Sequence, residues 1–166
     1  MPTITLKKIM PKTQKIIDVD RVRDELEGTL EDVKQDMIKD FEGTVANWST
    51  EVDFEGRKII RPDELRIIVY PTGPGAEIWG YVNAGTRPHP IYPRAGGVLA
   101  FQGGFRAKTR PGSLRSGAGG RSGPTVFSKG VQHPGTEARN FTGQIADKYR
   151  PEFARLCHNG LRRALR

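Results

Sequence analysis

The chain has 166 residues, enough for one domain with a buried core. Its 27 basic and 19 acidic residues leave a formal charge of +8, which favours nucleic acid, anionic lipid or acidic protein faces without choosing among them. A single cysteine, Cys157, excludes an internal disulfide framework and a four-thiolate metal site. No apolar run suits a signal peptide or a membrane span, so the expectation is a soluble intracellular product.

Residues 1–18 read as an extended N-terminal arm: Ile4 and Leu6 alternate with Thr3 and Thr5, and Pro11 interrupts any helix. The rest, 19–166, reads as a single domain. Val22, Leu26, Val33, Met37 and Phe41 recur at helical spacing among charged residues. Asp18 or Asp20 is placed to cap this helix and Gly43 to stop it. "TVANWSTEVDFEG" follows as a short strand or ordered connection around Trp48. "ELRIIVY" (64–70), the turn "PTGPG" and "AEIWGYVNAG" (76–85) predict an antiparallel hairpin.

"TRPHPIYPRAGG" holds too many prolines for a helix or a central strand and reads as an irregular loop. "VLAFQ" (98–102) and "TVFSKGV" (125–131) are the third and fourth strands. Between them, residues 103–124 read as a flexible basic hairpin loop with Arg106, Lys108, Arg110, Arg115 and Arg121 and no acid. Phe141, Ile145, Tyr149, Phe153, Leu156, Leu161 and Leu165 form the apolar stripe of a last helix, which Pro151 should kink or restart. Arg162, Arg163 and Arg166 suit its negative end. The predicted fold is α+β: a small antiparallel sheet of about four strands against a long N-terminal helix and a C-terminal helix.

The stretch "VQHPGTEARNF" (131–141) poses the functional question. His133 with Glu137 could act as a general base and its orienter, but catalysis also needs a nucleophile or activated water and a pocket. Cys157 and His158 are adjacent on a helix and do not face each other. No nucleophile elbow, phosphate-binding glycine loop or zinc-protease motif is present. His89, His133 and His158 show no paired ligand spacing, so no metal site is expected. Pro134 and Gly135 read more simply as a turn, with Thr136 or Asn140 capping the helix from Phe141.

The landmarks run in the order "NWST" (47–50), "NAGTRP" (83–88), "IYPR" (91–94), "LAF" (99–101), a variable basic loop, and "HPG" with "TEAR" and "NF" before a terminal helix. This order resembles the neck or tail-completion proteins of tailed bacteriophages, including head–tail joining and minor tail protein Z-like members. The resemblance covers roughly residues 20–166 and implies a structural ring protein of the virion, not an enzyme, with no cofactor. It would be assembled in the host cytoplasm, at the junction of head and tail. As partners it implies further copies in a hexameric or dodecameric ring, the portal or adaptor and tail-tube proteins, with genomic DNA as a further non-specific contact. Gly85, Thr86, His133, Pro134, Gly135, Arg139 and Phe141 carry over as landmarks that fix the helix against the sheet and shape the subunit interface. The basic loop is then a contact to subunit, partner or DNA. Two other classes stay open. One is a sequence-independent nucleic-acid-binding protein using the basic loop and terminal helix, with salt-sensitive affinity. The other is a small hydrolase or nuclease built on His133.

Overall fold

Two helices of 25 and 24 residues, α1 (Val19–Gly43) and α3 (Phe141–Ala164), bracket all the strands in the computed structural model, which describes residues 18–61 and 64–165. Between them run β1 (Asp53–Arg61), β2 (Glu64–Thr72), α2 (Ala76–Ala84), β3 (His89–Ile91), a 3₁₀ turn (Arg94–Gly96), β4 (Leu99–Arg106), β5 (Gly120–Ser128) and β6 (Val131–His133). The fold is α+β, with small antiparallel sheets. The single four-stranded sheet is not formed: the strands pair as β1–β2, β3–β6 and β4–β5. The arm expected over 1–18 lies outside the described residues except for Asp18, as does Arg166. No helix among the described residues is long and apolar enough to cross a membrane.

Backbone contacts divide the chain into two compact units. The first comprises the described residues of 1–40, 54–70 and 145–166. Here α1 begins where expected, because the Asp18 carboxylate accepts a hydrogen bond from the Arg21 amide at 3.1 Å, supplying one of the donors a helix start leaves unpaired. Leu30 and Val33 of α1 are buried in this unit, as are Ile145, Tyr149 and Cys157 of α3. Lys58 of β1 bridges to Glu31 of α1 at 2.7 Å, and Arg163 of α3 bridges to Glu25 at 2.9 Å. α3 is one helix with Pro151 inside it, where the sequence suggested a kink or a restart. An interior proline costs about 3 kcal/mol, and buried side chains on both sides of it, Tyr149 and Cys157, offset that cost.

The second unit comprises 41–53 and 71–144. Its centre is an aromatic stack in which Trp79 lies 5.7 Å from Phe41, edge-on, and 6.0 Å from Phe141. The indole N–H donates to the Thr44 hydroxyl at 3.1 Å, so the buried ring leaves no polar atom unpaired. This stack overturns the predicted hairpin of 64–70 with 76–85. The second segment is the helix α2, and β2 pairs with β1. A nine-residue helix has little stability of its own; burial of Trp79 decides the outcome.

Two further expectations are corrected. The proline-rich segment after Thr86 is not wholly irregular, because β3 carries Pro90 opposite Gln132 of β6. In a two-stranded sheet every strand is an edge, so the missing proline N–H interrupts no inner ladder. The segment 103–124 is not one long loop. β4 continues to Arg106 and β5 starts at Gly120, with Phe105 opposite Arg121, which shortens the connection to 107–119.

Candidate functional site

The second unit is organised around a corner where two glycine-threonine pairs face each other. Thr86 and Thr136 form an antiparallel bridge: the Thr86 amide donates to the Thr136 carbonyl at 2.8 Å, and the Thr136 amide to the Thr86 carbonyl at 3.1 Å. The Thr86 hydroxyl accepts a further bond from the Thr136 amide at 2.9 Å. Each threonine follows a glycine with positive φ, +77° at Gly85 and +87° at Gly135. A methyl group on Gly135 would sit 2.3 Å from the Thr86 carbonyl oxygen, and one on Gly85 would sit 2.7 Å from that of Thr136. Both positions need glycine twice over, for backbone angle and for space.

β3 and β6 extend this bridge, with His89 directly opposite His133 and their rings 5.0 Å apart. The Gly135 amide donates to His133 Nδ1 at 3.0 Å. That bond uses the Nδ1 lone pair and leaves the ring proton on Nε2. Glu137 does not orient it: the Glu137 side chain is 77 % exposed and reaches only Arg139, at 3.9 Å.

Arg139 is the buried charge of the corner, 9 % exposed. Its Nε donates to the Thr109 hydroxyl at 3.3 Å and one terminal nitrogen donates to the Glu137 carbonyl at 2.9 Å. The Arg139 and Asn140 amides donate to the carbonyls of Val82 and Asn83 at the end of α2. The Asn83 side chain accepts from the Thr142 amide at 3.1 Å and caps α3. The expected caps differ: Thr136 is held by the bridge, and Asn140 sits at the left-handed φ of 49°. Phe141, fully buried, belongs to the aromatic stack and not to a surface.

An open cleft of about 680 Å³ borders the corner; Trp48, Ile78, Phe105, Arg106, Lys108 and Arg121 line it with the 133–137 turn and Arg139. Of the five loop bases named from the sequence, three therefore meet at one cleft. Arg110 and Arg115 do not line it; both are exposed on the 107–119 connection. Lys108 donates to the Asn47 carbonyl, and the Asn47 side chain donates to the Ser116 carbonyl at 3.1 Å. Those bonds tie the connection to the segment after α1. Sequence reading held Asn47 and Asn83 only as parts of the "NWST" and "NAGTRP" landmarks and gave no role to them or to Thr109, polar residues whose partners lie 69, 59 and 30 positions away. Among the described residues no three histidine, cysteine or acidic side chains are grouped to hold a metal ion.

No protein-family model matches the chain, and no curated protein or solved structure is significantly similar to it.

Proposed function

We propose that this chain is a structural protein of a bacteriophage head–tail junction, forming a ring that completes the tail or joins it to the portal and adaptor and lets DNA pass. The observation that carries the reading is the corner itself. Gly85-Thr86 and His133-Pro134-Gly135, landmarks 50 residues apart in the sequence, form one interlocked element. That element leads through Arg139 and Asn140 to the end of α2 and the first turn of α3 and presents no group set for proton transfer, so its work is shape. A hydrolytic role for His133 is disfavoured by the Gly135 amide bonded to its Nδ1. Closed rings need heterologous contacts, in which one face of a copy meets a different face of the next. Electron imaging of the concentrated protein, alone and with a shortened 107–119 connection, tests the reading. Closed rings with a central opening support it; particles that never close, even with portal and tail-tube proteins added, refute it.

One observation favours a second reading, sequence-independent nucleic-acid binding. Between Glu77 and Glu137 the chain carries eight lysines and arginines and no acid. Phosphate contacts by these residues would make affinity fall steeply with salt. Absence of DNA binding at low salt excludes it.

A further inference from the structure

We propose that the β4–β5 hairpin is a docking arm whose partner is the acidic face of α1 in a second copy of this chain. This inference rests on the ring reading and names the contact within it. The starting observation is that the hairpin is unfinished as a structure. Its strands have eight and nine residues, pair among the described residues only with each other, and are exposed along nearly their whole length. A two-stranded ribbon is marginal in water without a third layer. Phe105 and Phe127 are 76 % and 68 % exposed on it, more than a solvent-facing role requires.

Charge decides what covers it. The hairpin lies inside the acid-free stretch between Glu77 and Glu137, so two hairpins meeting face to face would repel and an isologous contact is disfavoured. The complementary surface is α1, which carries nine acidic and four basic residues. Its apolar side is committed to the core through Leu30 and Val33. Its outer side carries Asp20, Asp24 and Asp32, all exposed and without an ion-pair partner among the described residues. Val19, 71 % exposed beside Asp20, offers an apolar contact.

The dimensions agree. Asp20 to Asp32 spans about 18 Å of helix at ~1.5 Å per residue, and β5, from Gly120 to Ser128, spans about 26 Å at ~3.3 Å per residue, long enough to cover all three carboxylates. A basic arm of one copy against an acidic ridge of the next is a contact between unlike surfaces, the head-to-tail type that propagates around a ring.

Sedimentation of the full chain at low salt, before and after nuclease treatment, tests this with two charge-reversed variants: Asp20→Lys/Asp24→Lys/Asp32→Lys on α1 and Arg106→Glu/Arg121→Glu on the hairpin. All five sites are exposed, and far-UV circular dichroism checks that both variants fold. Each variant alone should self-associate more weakly than wild type by on the order of tenfold or more. An equimolar mixture should return to the wild-type range, because each variant retains the surface the other needs. Wild type that stays monomeric, an α1 variant that associates like wild type, or a mixture that fails to recover overturns the proposal. So does association that disappears with nuclease, which would make nucleic acid the partner of the arm. Imaging the same samples separates the two readings. Recovered pairs that never close into rings uphold the docking and refute the ring, whereas rings formed by the α1 variant uphold the ring and refute the docking.

Discussion

Replacing Gly135 with alanine tests the interlocked corner quantitatively, because Gly112 supplies an internal control. Both glycines have positive φ, +87° and +74°, but the space around them differs. A methyl at 112 meets nothing within 4 Å, whereas one at 135 would lie 2.3 Å from the Thr86 carbonyl oxygen and 2.9 Å from the Arg87 carbonyl carbon. The backbone penalty for alanine at such a φ is about 1–2 kcal/mol at either site. At 135 the bridge must also open, removing bonds worth about 0.5–1.5 kcal/mol each. The expectation is a loss of about 2–5 kcal/mol for Gly135→Ala against about 1–2 kcal/mol for Gly112→Ala. Urea unfolding followed by tryptophan fluorescence is the assay, since both tryptophans, Trp48 and Trp79, belong to the second unit. Losses that agree within about 0.5 kcal/mol, the usual scatter for unrelated surface changes, would refute the close approach of the two turns.

Arg139→Lys should cost about 1–3 kcal/mol in the same assay, because an ammonium cannot reproduce the fork to Thr109 and the Glu137 carbonyl. Glu137→Ala should cost under about 0.5 kcal/mol, its contact being exposed and long; equal losses would mean that Arg139 is held by the carboxylate instead. In the first unit, hydrogen bonds from Lys34, then Lys58, then Gln35 lower Glu31 from 4.5 to about 2. Its ionised form is thus favoured by folding, and the stability it contributes is present above pH 4.5 and lost as pH falls towards 2. Glu31→Gln should flatten the acid limb of the urea midpoint over that interval, read by far-UV circular dichroism, and an unchanged slope would sink the assignment. Burial raises the Cys157 thiol above its ordinary value, so a thiol reagent at neutral pH should modify it only on unfolding. Rapid labelling of the native protein would contradict its place in the core.

The parts of the fold that were legible are those whose signal is local. Asp18, the apolar spacing from Val22 to Phe41 and Gly43 bound α1 correctly because cap, stripe and stop all lie within one segment. The segment 76–84 was misread because its alternation suits a strand. Its helical state is set by Trp79 packing between Phe41 and Phe141, 38 and 62 positions away. The reach of β4 and β5 into the glycine-rich stretch was hidden for a related reason. Gly104 opposite Ser122 has no propensity for strand, and the two meet only after the register shifts by one residue between Gln102 and Gly104, an irregularity that no local pattern announces.

The candidate site was half legible, and the division has a physical basis. Gly85 and Gly135 each announce a turn from sequence, because glycine takes the positive φ that ends an element at no steric cost, here just after α2 and just after β6. Nothing local announces that the two turns bond to each other. Pairing across 50 residues is a long-range choice, driven here by the register of His89 with His133 and by the buried fork of Arg139. Charge is different again. The acid-free stretch and the acidic helix are both visible as composition, and composition survives whatever the chain does locally. Segregating charge in this way lowers the cost of no contact within one copy, yet it favours every contact between unlike faces of two copies over contacts between like ones. Such a sequence specifies assembly through the partner surfaces it penalises as much as through the one it fits.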